Sequence, residues 1–171
     1  VGMYYKILGG LVSGRMRLKV EMGEECELEN ISNAVGVPMI SDITPRDKSD
    51  DISVFAAPQA VFNYSANSDF SVELEGGVKT FKLQLKSFTA ISEGKELKGS
   101  LEWNDTNDAV TFKPTETLPS EKEVKLTVEV SFDEKVGGSY QTVITNGKPA
   151  TEKMEITFIT DKAPDHIPLE N

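Results

Sequence analysis

The sequence of 171 residues holds one cysteine, one histidine and one tryptophan, and each scarcity removes a class of chemistry. A lone Cys26 cannot close an internal disulfide, so the core alone must hold the fold. Glu24, Glu25 and Glu27 crowd it and disfavour the thiolate that a reactive cysteine needs, so Cys26 reads as a small, partly buried residue. His166 stands in the tail Ala163-Pro164-Asp165-His166-Ile167-Pro168-Leu169, an extended linker that gives a catalytic base no support. No Ser-His-Asp or Cys-His arrangement is expected around it. No long apolar run occurs, which excludes a transmembrane helix. Gly9, Gly10 and Gly14 break the early apolar stretch and no cleavage site follows, so no signal peptide is read there. The chain opens on Val1 and closes on Asn171, and the expectation is a fragment or mature form of a larger protein.

Basic residues are also short: 18 Lys and Arg stand against 28 Asp and Glu, a net charge of -10. The first 22 residues carry Lys6, Arg15, Arg17 and Lys19 against Glu21 alone, so the acidity lies in the remainder. An acidic surface repels phosphate, which argues against nucleic acid and anionic membranes as partners. The basic run Arg15–Lys19 reads as one solvated strand face, with docking on an acidic partner as the alternative. Hydrophobic residues make up 38%, low for an enzyme core but suited to strands that bury one face.

What is present is alternation. Leu101 and Trp103, Val110 and Phe112, and Val124, Leu126, Val128, Val130 and Phe132 form three core-facing rows at period two. Asx-rich and Pro-rich loops separate them, so Leu97–Phe132 is expected to be a β-meander with Trp103 as a core anchor. Ile52–Phe55 reads as an edge strand and Ala60–Tyr64 as an apolar strand. Phe70–Leu74 and Val78–Leu85 flank Gly76-Gly77, a hairpin signal, and Phe88–Ile91 extends the second strand past a bulge. Asn146-Gly147 suits a type I′ turn, so Ser139–Thr145 is expected to pair with Met154–Phe158. Met16, Leu18, Val20 and Met22 alternate with charges, giving an amphipathic strand with a partner from Cys26 onward. No helical period persists over three turns. The division expected is a β-hairpin segment over 1–36, an all-β antiparallel sandwich over 37–162, and an extended linker over 163–171.

From Ile43 to Thr160 the layout resembles the bacterial Ig-like domains of the Big group, type 5. Three stretches carry the likeness: Ile43-Thr44-Pro45 followed by a strand ending Phe62-Asn63-Tyr64-Ser65; Leu97–Trp103 with Ala109–Pro114; and Leu118-Pro119 with Val124–Val130 and Ile156–Thr160. Two features depart from that pattern. Val124 or Leu126 stands where such domains carry a tyrosine, and the insertion from Phe132 to Met154 is long. The resemblance implies an immunoglobulin-like fold and a non-catalytic spacer, adhesion or interaction module in an exported bacterial protein, periplasmic or at the cell surface. Its implied partners are other domains of the same parent protein, a surface protein or a glycan. The alternative is a carbohydrate-binding accessory module.

Two Asx clusters are the best chemical candidates. Asp47, Asp50 and Asp51 share one loop; Asn104, Asp105, Asn107 and Asp108 share another, and the second is the calcium candidate, because hard cations take several oxygens from short loops. Neither has EF-hand spacing, and Asx residues also favour turns through their own hydrogen bonds. No catalytic residue and no other cofactor is expected.

Overall fold

The computed structural model describes residues 3–6, 13–16, 38–74, 77–145 and 147–164. Among them every regular element is a strand, in chain order β1 (Met3–Lys6), β2 (Ser13–Met16), β3 (Ile40–Thr44), β4 (Ser49–Ile52), β5 (Gln59–Phe62), β6 (Asp69–Leu74), β7 (Gly77–Ser92) and β8 (Lys95–Glu96). There follow β9 (Gly99–Trp103), β10 (Ala109–Pro114), β11 (Glu123–Val136), β12 (Ser139–Thr142), β13 (Ile144–Thr145), β14 (Lys148–Pro149) and β15 (Thr151–Thr160).

Two sheets enclose one core. The first has the order β3-β5-β10-β9; the second runs β4-β15-β11-β7-β6, with β12 beside β11 and β8 beside β7. Among the described strands every pairing is antiparallel except that of β4 with β15, which run parallel. The chain crosses between the layers at the cis Thr44–Pro45 bond, so β3 lies in one sheet and β4 in the other. The all-β sandwich expected from the alternation is the architecture found.

β11 is the centre of the second sheet because its sequence alternates without a break. Val124, Leu126, Val128, Val130 and Phe132 are all buried, while Lys125, Thr127 and Glu129 reach the outer face. Phe158, Met39, Ile40, Ile43, Leu83 and Val110 join them in the buried interior. Each such side chain contributes about 1.5–3 kcal/mol by leaving water. The bulge expected between Leu85 and Phe88 is present: Ser87 faces Glu129 and Leu85 faces Val130, leaving Lys86 as the extra residue. Phe81 and Leu83 sit on odd positions and Phe88 and Ala90 on even ones, so one inserted residue keeps both pairs inside.

Three expectations are corrected. Leu97–Phe132 is not a meander, because β9 and β10 pair in the first sheet whereas β11 lies in the second. The Pro114–Pro119 segment carries the chain across, with Leu118 buried as its anchor. Leu101 is 42% exposed, since β9 is the outer strand of its sheet and little covers that margin. Finally, β12 and β15 both pair with β11, and the local pairing is that of the short strands β13 and β14, Asn146 itself lying outside the described residues. The long β11 offers two partners in succession, β15 up to Ser131 and β12 from Asp133, and these outcompete the local pairing.

The hairpin signal at Gly76-Gly77 corresponds to β6–β7, closing at Leu74 opposite Gly77. At the amino terminus β1 pairs antiparallel with β2, Met3 opposite Met16. The expected strand beyond Met16, its partner from Cys26, and His166 lie outside the described residues.

Candidate functional site

The β9–β10 loop gathers its own polar atoms. Asn104 Nδ2 donates to Asp108 Oδ1 at 2.6 Å and to Thr106 Oγ1 at 3.0 Å, and Thr106 Oγ1 donates to the same Asp108 oxygen at 2.8 Å. Asn104 Oδ1 accepts from the backbone N–H groups of Asp108 and Ala109, both at 3.1 Å. The carbonyls of Asn107 and Asp108 accept from Ala66 and Phe62, which fastens the loop to β5 and the turn after it. Asn107 takes a left-handed conformation, φ 54°, which asparagine tolerates better than most residues. The hydrogen bonds from Asn104 and then Thr106 hold the Asp108 carboxyl below its usual range. Of the four calcium candidates the structure thus joins Asn104 and Asp108, whose oxygens already face loop donors. Asp105 is exposed and outside this network, and Asn107 contributes backbone only. The arrangement is that of an Asx-stabilised turn.

The other acidic loop disperses. Asp47 Oδ1 accepts from the Thr157 backbone N–H at 2.9 Å, tying the loop to β15, while Asp50 and Asp51 are exposed on β4. Among the described residues no three His, Cys, Asp or Glu side chains converge as a metal site would require. Trp103 is half-buried, its ring 5.7 Å from that of Phe62 and tilted by 34°.

Two groupings were not legible in the sequence. Across β6, β7, β11 and β12, Asp69 accepts from the Tyr140 hydroxyl and from Lys135 Nζ, the latter at 3.2 Å. Lys82 and Lys135 place Nζ 5.2 and 5.5 Å from the Tyr140 ring centroid. The Tyr140 hydrogen bond, then Lys135, hold the Asp69 carboxyl low, and the same carboxylate pushes the Tyr140 hydroxyl up. Residues 66 or more positions apart meet here only because β11 continues past β15, and that register is invisible before the pairing is known.

The second grouping fastens the chain where it joins the sandwich. Glu152, at the start of β15, accepts from the Met39 N–H through both carboxylate oxygens (3.0 and 2.9 Å) and from the Ile40 N–H at 2.9 Å. Asn63 holds the same stretch from the other side, its side chain donating to the Pro38 carbonyl at 2.7 Å and its backbone N–H to that of Met39 at 2.9 Å. The bonds to the Glu152 carboxylate are charge-assisted and so roughly twice as strong as the neutral ones from Asn63.

At the opposite end two surface hollows, of about 320 and 210 Å³, share the wall 114–117. Lys95, Leu97 and Pro119 border the larger; Val54, Phe55 and Ala56 border the smaller. Both are open grooves beside a loop. The sequence matches no protein-family model and no curated protein.

Proposed function

We propose that the chain is a non-enzymatic, Ig-like β-sandwich module that acts as a spacer or protein-interaction domain within a larger exported bacterial protein, periplasmic or at the cell surface. The observation that carries this reading is the placement of the two connections. The first strand of the two sheets is entered from Met39, beside the start of β15, and the last one ends at Thr160, beside Ile52. From Glu152 to Thr160 the strand advances eight residue steps, about 26 Å at 3.3 Å per step. A module joined at opposite ends sets a fixed distance between the parts of the parent protein that flank it.

Strand order supports the Ig-like part of the proposal. β3-β5-β10-β9 packed over β15-β11-β7 follows the A-B-E-D over G-F-C arrangement of immunoglobulin domains. β6, inserted beside β7, departs from it. Exposed strand edges carry charge, Asp50 and Asp51 on β4 and Glu102 on β9, a device that discourages edge-to-edge association of neighbouring modules. The glycan-binding alternative draws less support, because Trp103 turns its ring toward Phe62 rather than standing as an open platform.

The test is an electron–electron distance measurement between spin labels introduced by Pro38→Cys and Lys162→Cys in a Cys26→Ser background. A single narrow distribution, near the strand-length separation plus the label arms, is the expected result. A broad or multimodal distribution removes the spacer reading.

A further inference from the structure

Fastening at Glu152 has a mechanical consequence that depends on the spacer reading. Tension between the flanking connections pulls residue 38 and residue 162 apart along the axis of β15. Within the two sheets, the backbone N–H groups next to residue 38 are those of Met39 and Ile40, and both are held by Glu152. Glu152 belongs to β15, and β15 continues covalently to Thr160 and out of the sandwich. We infer that the Glu152 carboxylate passes tension from the incoming chain directly into β15, so that the module transmits pulling force along one strand and spares the rest of the core.

Behind this contact lies a second one loaded in the same direction. β4 runs parallel to the last part of β15, so the two strands are drawn past one another rather than peeled apart. Lys48 N–H donates to the Thr157 carbonyl at 2.6 Å and Asp161 N–H to the Ile52 carbonyl at 2.7 Å, and the Asp47 carboxylate accepts from Thr157 N–H beside the first of these. Bonds lying across the pull must yield together. By contrast β11 and β15 are antiparallel, and pulling them apart from the Glu123 and Lys162 end opens their ladder one pair at a time.

Single-molecule force measurements on the full chain test this. The wild-type protein is pulled either through tags at its two termini or through Glu123→Cys and Lys162→Cys in a Cys26→Ser background. Terminal pulling is expected to need the higher force, and Glu152→Ala to lower that force while leaving the 123–162 value unchanged. Glu152→Gln, which keeps one carbonyl acceptor and the side-chain volume, is expected to fall between and serves if the alanine variant does not fold. Equal wild-type forces in the two geometries, or a Glu152 effect that is absent or alike in both, overturns the inference. A narrow 38–162 distance combined with equal forces leaves the spacer standing without a tensile role; a broad distance removes both.

Discussion

Beside Gly99 the ring of Phe112 occupies the space where a side chain would start. A Cβ built on Gly99 stands 2.5 Å from Phe112 Cζ and 2.7 Å from the Lys113 carbonyl oxygen, closer than van der Waals contact permits. Gly99→Ala is therefore expected to destabilise the fold by about 1–3 kcal/mol, as overpacking generally does. Urea denaturation reads this, and an unchanged midpoint would mean that β9 shifts freely at its open margin. Nothing in Leu97-Lys98-Gly99 announces the constraint, since it arises from a ring thirteen positions further on. The Asx loop was more legible. Asn104 to Asp108 has the composition of a turn, and composition alone suffices because its bonds are local. What composition could not separate was turn chemistry from ligand chemistry, as both use the same oxygens. In the structure Asn104 donates to Asp108 Oδ1, which engages that carboxylate oxygen within the loop.

Among the elements, several whose signal is carried within one strand were read correctly, although the edge strand expected over Ile52–Phe55 lies at Ser49–Ile52, with Val54 and Phe55 in the turn after it. The alternation of β11, the β6–β7 hairpin and the Lys86 bulge all follow from period-two parity. Deleting Lys86 should therefore turn Phe88 and Ala90 toward solvent; circular dichroism and denaturation are expected to show loss of the cooperative fold. A variant of near-wild-type stability would mean that the register is not set by this residue. The errors fell where the partner of a strand mattered. Leu97–Phe132 looked like a meander because three alternating runs follow each other, yet parity does not say which layer a run joins. Pairing also shapes the electrostatics. Glu155 on β15 lies between Lys153 (2.7 Å) and Lys125 of β11 (3.0 Å), and their hydrogen bonds hold its carboxyl at about 2 instead of 4.5. A carboxyl depressed on folding adds stability above its unfolded value, and that stability is lost as pH falls through the folded value. The window runs from 4.5 down to about 2. Glu155→Gln is expected to flatten the pH dependence of the unfolding midpoint in that window, by a modest amount because the group is exposed. An unaltered slope would assign the acid sensitivity elsewhere, with Asp69, Glu93 and Asp108, also held low by their partners, as the remaining sources.

For the molecule as a whole, the two-layer architecture was legible because 38% hydrophobic residues at period two have few other ways to leave water. The connection geometry was not, since it depends on Glu152 meeting Met39 across 113 positions and on β4 joining β15 in parallel. These contacts decide whether β3 and β4 are part of one cooperative body or a loose flap on it. Native-state hydrogen exchange answers that directly, because amides released by one global opening share its free energy whereas a flap exchanges at a lower one. Paired amides of β11 such as Val128 provide the global value. The amides of Met39 and Ile40, bonded to Glu152, and of Lys48 and Asp161, bonded across β4 and β15, are expected to match it. If those four exchange through a separate, easier opening while Val128 stays protected, the sandwich does not hold its own ends, and the account of a rigid module joined at opposite poles is wrong.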